Sequence, residues 1–119
     1  MGYRIRFEQK RLRGRYGIIG LVAGRYLEAG YHVRLMHPTR YGPAHIVAQG
    51  RGEKFVVEVV HEPGALREEV VEGLLKKAKL LGARPILAVY GRGIKLGGLR
   101  KKLEESGVKV KYVREAPSR

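Results

Sequence analysis

Residues 54–61, Lys-Phe-Val-Val-Glu-Val-Val-His, constrain the fold more than any other stretch of the chain. The adjacent valine pairs put β-branched side chains on both faces of an extended strand. Such a strand must be covered from both sides, so it belongs at the centre of a layered α/β sheet. A single carboxylate, Glu58, interrupts the run. Buried there, it needs an arginine or backbone N–H groups to hold it, because an unpaired buried carboxylate costs several kcal/mol.

The flanking segments supply the rest of such a sheet. Gly50-Arg51-Gly52 reads as a tight hairpin joining this strand to an earlier one at Ala44–Gln49, itself preceded by an alternating strand at Tyr31–Met36. Before these, residues 17–29 form an apolar helix, and Gly20 and Gly24 on it would let another backbone approach closely, either the chain's own sheet or a partner. After the central strand, Glu62-Pro63-Gly64 breaks the chain. A helix over 65–81 follows, with Glu68, Glu69 and Glu72 near its start and Lys76, Lys77 and Lys79 near its end, as the helix dipole favours. A strand at Ile86–Tyr90, a short helix at Leu99–Ser106 and a last strand at Val108–Val113 complete the chain. The expected architecture is an α/β fold in the order α-β-β-β-α-β-α-β, a mixed sheet flanked by helices. At 119 residues it forms one domain over 1–119, with a basic segment at 1–15 and a loose tail at 115–119.

Charge narrows the function. The chain carries 25 Lys and Arg against 11 acids, a net charge of +14. Self-repulsion of that size is most simply offset by a polyanion, so DNA or RNA is the expected partner. The expected contacts are Arg4, Arg6, Lys10, Arg11, Arg13, Arg15, Arg40, Arg51, Arg92 and Lys95, with Tyr3, Tyr16 and Tyr41 lying among them as base-stacking residues would. There is no Cys, Asp or Asn, and the only hydroxyl residues besides tyrosine are Thr39, Ser106 and Ser118. Thiolate chemistry, an aspartate-dependent triad and an aspartate metal cluster are therefore excluded. The same composition resembles that of hyperthermophile proteins. No apolar run reaches the ~20 residues that span a bilayer, and the N-terminus has no signal-peptide pattern. No membrane partner and a cytoplasmic location are expected.

The arrangement RLRGRYG, then GYHV at 30–33, PAHIVA at 43–48, a glycine hairpin, VEVV at 57–60 and LGARP-ILAVYG towards the end resembles the PD-(D/E)xK nuclease superfamily. The likeness is to archaeal Holliday-junction resolvases and RecB-like nucleases, over about residues 10–114, and it implies a restriction-endonuclease-like fold. Of the chemistry this resemblance implies, only Glu58 keeps its place. His45 stands where the metal-binding aspartate would be, Val60 where the lysine would be, and Ile18 and Ile19 where many members carry a glutamate. One carboxylate and one imidazole suit Mg²⁺ poorly, since that ion demands oxygen ligands. Glu58 and His45 are therefore vestigial candidates, and no metal or other cofactor is expected unless the chain is a divergent Mg²⁺-dependent endonuclease. The chain is similar also to the structural subunits of archaeal tRNA-splicing endonucleases, through RYGPAHIVA at 40–48 and FVVEVV at 55–60, although those have a hairpin where a helix is expected here at 99–106. Both resemblances imply a nuclease-fold protein without its own chemistry. It would bind structured DNA or RNA as a homodimer or beside a catalytic paralogue.

Two further motifs are weaker. His45 and His61 with Glu58 or Glu62 have no metal-site spacing. The loop GRGIKLGG at 91–98 matches neither nucleotide-binding fingerprint, but its N–H groups with Arg92 and Lys95 suit a phosphate of a nucleic acid.

Overall fold

The structure, a computed structural model, describes residues 2–114, with side chains from residue 8 onward. Arg4, Arg6 and Tyr3 as contact residues, and the expected loose tail 115–119, lie outside what is described. The element order is the expected one: α1 (Gly2–Glu28), β1 (His32–His37), β2 (Ala44–Gly50), β3 (Glu53–Val60), α2 (Glu68–Leu81), β4 (Arg84–Tyr90), α3 (Leu99–Glu105) and β5 (Lys109–Val113). The five strands lie side by side in chain order. β1, β2 and β3 are antiparallel neighbours, while β4 and β5 join parallel through the crossovers that contain α2 and α3. β3 is the central strand and its Val56, Val57, Val59 and Val60 are all buried, as its two-faced apolar pattern dictates.

The sheet has two cores. On one face α2 and α3 bury Val71, Leu74 and Leu103 against Val47, Val56, Val60, Leu87 and Val89. On the other, Val22, Ala23 and Tyr26 of α1 cover Ile46, Ala48, Val57, Val59 and Ile86.

α1 departs most from expectation. The basic segment at the start of the chain, to which the sequence assigns no element, forms a helical arm, which runs to Gly17 and there turns sharply into a second arm ending at Glu28. Gly17 has φ 62° and ψ −131°, a conformation that only glycine adopts readily. The two arms fold back on each other. A side chain at Gly20 would collide with the backbone of Leu12, and one at Gly24 would meet Gln9. Gln9 Nε2 donates to the Gly24 carbonyl at 3.0 Å and to Glu28 at 3.1 Å, fastening the arms. The small-residue pair therefore serves the chain's own first arm, rather than the sheet or a partner.

Smaller shifts have local causes. α2 starts at Glu68 rather than 65, with Arg67 extended at its N-cap, and it ends on Gly82 in the left-handed region as expected. β4 begins at Arg84 and takes in Pro85, whose missing N–H is tolerated near the start of a strand. The β2–β3 hairpin is the expected two-residue turn, with Gly50 paired to Glu53 and both Arg51 (φ 54°) and Gly52 (φ 75°) at positive φ.

Candidate functional site

β2 and β3 are in register so that residues 46 and 57 pair, which places His45 opposite Glu58. Both lie on the α2 face, with Val60 two residues along the same face, as the two-residue period requires. His45 Nδ1 is 3.2 Å from Glu58 Oε2. The sequence reading put these two together correctly. Missing from it was Lys77, which α2 brings in from above. Its ammonium lies 2.8 Å from Glu58 Oε1 and donates to the Pro43 carbonyl at 3.0 Å. Neither an arginine nor backbone donors hold Glu58; a lysine does, one of the three that the helix dipole favours near the end of α2. The missed signal is positional: Lys77 follows Val70 and Leu74 on the buried stripe of α2, one turn apart each time.

The cluster behaves as a closed unit. Glu58 is 5% and Lys77 8% exposed. The His45 Nδ1 accepts the Val59 N–H at 3.0 Å, so its lone pair is engaged and the proton sits on Nε2 in the neutral ring. Burial, more than anything else, lowers its pKa below the usual 6.5; Lys77 and His61 push the same way, against the opposing pull of Glu58. Among the described residues no group of three or more potential metal-ligating acids, histidines or cysteines comes together. Val60, where the resemblance would put the lysine, is buried among aliphatic residues.

The proposed contact residues are scattered. Lys10, Arg11 and Arg15 are exposed on the first arm of α1, Arg13 half-buried, and Arg11 is paired with Glu8 at 2.8 Å. Arg40 precedes β2, and Arg92 and Lys95 follow β4, so these three share the end of the sheet where β3 and β4 finish. Arg51 lies at the other end, in the β2–β3 turn. The tyrosines carry cations: Arg15 sits 5.3 Å from the Tyr16 ring centre, and Arg40 and Lys76 sit 5.5 and 5.7 Å from that of Tyr41.

A second concentration of charge was not expected. On the α1 face, the second arm of α1 stops short of β5 and leaves an open groove of about 490 Å³. Arg25, Arg51, Lys109, Lys111 and Arg114 line it, with Glu53 the one acid. Its aromatic side is a cluster of Tyr26, Tyr31 and Phe55, with ring centres 5.8 to 6.4 Å apart. Only Arg51 of this group was singled out from sequence. The signal was the alternation Lys109, Lys111 along β5, which puts both cations on one face.

The fold belongs to the α/β class, with an antiparallel first half and a parallel second half. Among solved structures it is similar to SfsA of Pyrococcus furiosus in complex with Ca²⁺, with a TM-score of 0.59 and 16% identity, over 88% of this chain and 57% of that one. The chain thus spans little more than half the length of that protein, and at this identity the likeness concerns the fold alone. No protein-family model matches the chain, and no curated protein matches it. Among the described residues no helix is long and apolar enough to cross a membrane.

Proposed function

We propose that this chain is a nucleic-acid-binding protein on a nuclease-like α/β fold that does no hydrolysis of its own, acting as a homodimer or beside a catalytic partner. The observation that carries the reading is the contrast in how the charges are used. The buried carboxylate of Glu58 is neutralised by Lys77, while cations lining the α1-face groove form no ion pair among the described residues. The Lys77 ammonium, held between a carboxylate and a carbonyl oxygen, occupies the kind of oxygen nest a hard cation would need. The helix α3 between β4 and β5 supports the resolvase-like resemblance over the splicing-subunit one.

Binding should be tight at low salt and weakly sequence-selective, because phosphate contacts position without specifying. With about five phosphates neutralised, log K should fall with log salt at a slope of roughly −4 to −5 on duplex DNA. A slope near zero in a filter-binding titration removes the reading.

One observation favours a second reading, a divergent metal-dependent endonuclease: an imidazole, a carboxylate and an amine converge at His45, Glu58 and Lys77. Cleavage of branched DNA or intron-bearing RNA that needs Mg²⁺ and is abolished by Glu58→Gln would establish it.

A further inference from the structure

The groove beside α1 has features that general charge does not require. Lys111 Nζ lies 5.3 Å from the centre of the Tyr26 ring, and the Arg51 guanidinium 5.8 Å from that of Tyr31, so cations and ring faces alternate along one surface. Tyr26 is 8% exposed, and its hydroxyl is the buried side-chain polar atom that finds no hydrogen-bond partner among the described residues. Buried phenols ordinarily have one. Burial pushes its pKa up to about 12, so it remains a donor at neutral pH. At the end of β5 a second cavity of about 570 Å³ reaches Arg92 and shares Tyr112, Val113 and Arg114 with the groove; Tyr112, 60% exposed, alternates with Lys111 along β5 and so projects to the side of the sheet where that second cavity lies.

We propose that this groove is the channel for an unpaired nucleic-acid strand, with Arg25, Arg51 and Lys111 on the phosphates and Tyr112 stacking a base where the strand rounds the end of β5. The proposal rests on the nucleic-acid-binding reading and names which form of nucleic acid this surface takes. The choice of a single strand follows from the exposed ring of Tyr112 beside these cations. A duplex presents its phosphates outward and keeps its base faces stacked, so it can use the cations but not the rings. An unpaired strand can use both. Arg51 fits the same picture: a non-glycine residue held at φ 54° in a tight turn, presented at the mouth of the groove.

The test is fluorescence anisotropy at low salt with labelled oligo(dT), oligo(U) and a blunt DNA duplex of equal length. The single strands are expected to bind about tenfold more tightly than the duplex, and the two single-strand probes distinguish DNA from RNA as the preferred source. Tyr112→Ala, at an exposed position that tolerates truncation, should weaken single-strand binding about tenfold and leave duplex binding within about twofold. Lys111→Glu should weaken single-strand binding more than Lys79→Glu, an equal charge reversal on exposed α2 surface. Duplex preference, or groove variants that all bind single strands within about twofold of the wild type, overturns the channel while leaving general nucleic-acid binding in place. Failure of the wild-type protein to bind any of the probes overturns both.

Discussion

The two faces of the sheet treat charge in opposite ways. On the α2 and α3 face, acids and bases are matched within the chain: Glu58 with Lys77 in the interior, and at the surface Lys102 with Glu68 and Glu72 at 2.7 and 3.0 Å. On the α1 face beyond the helix, five cations look onto a groove with one acid. The matched face has two helices over it, and a charge enclosed beneath them, as Glu58 is, must be balanced on the spot. The unmatched face is open to water, where cations are cheap to keep and available to a ligand. The sign of the whole chain thus says little about where a polyanion would bind; the roofing of the sheet says more.

The contrast breaks most visibly at Lys77. Lys77→Met leaves the Glu58 carboxylate buried without its partner and should cost about 3–5 kcal/mol, read as a lower midpoint in urea unfolding. Adding Glu58→Leu should recover much of that loss, since removing both charges removes the problem. If Lys77→Met alone unfolds at the wild-type midpoint, the cluster is not a closed unit.

A smaller effect with two signs is expected at Arg51. Arg51→Asn relaxes a residue held at positive φ and should raise stability by about 0.5–1 kcal/mol. The same change removes a cation from the groove, so nucleic-acid affinity should fall while Tm rises. Parallel movement of the two would place Arg51 among the structural residues.

The smallest effect lies at His45 and is confined to acid pH. Its pKa is lowered in the folded protein, so below about pH 6.5 the unfolded chain takes up the proton first. Stability attributable to His45 is therefore full above pH 6.5 and is lost as pH falls from there towards the lowered folded value. His45→Gln should flatten that stretch of a stability-against-pH curve and leave the neutral region parallel to the wild type. An unchanged acid limb would mean that other groups control it.

Most of the sheet was legible in the chain because its signals are local. The valine run of β3, the Gly50-Arg51-Gly52 turn and the Gly82 stop each specify their own conformation within a few residues. The pairing of His45 with Glu58 followed from strand alternation. What stayed hidden depends on tertiary distance. The first arm of α1 is rich in arginine and lacks a strong apolar stripe, so its helix is visible only once Gln9 and Leu12 are seen against Gly24 and Gly20. Lys77 looked solvated because lysine almost always is. The groove joins α1 to β5 across most of the chain, and no local pattern announces a gap between a helix and an edge strand.

The strand order has a consequence for how the molecule comes into being. Because β1 to β5 lie in the sheet in the order of the chain, each new strand adds to an edge that already exists, and none must be inserted between two others. The hairpin-linked β1–β3 meander closes short loops and can form early, whereas β4 and β5 each wait for a crossover of many residues to be completed. Growth is then one-directional along the sheet, and the edge that β4 later covers is the one left open in the meantime. That edge belongs to β3, the most valine-rich strand in the protein, so the interval before α2 and β4 dock is when a nascent chain is most prone to pair with another copy of itself.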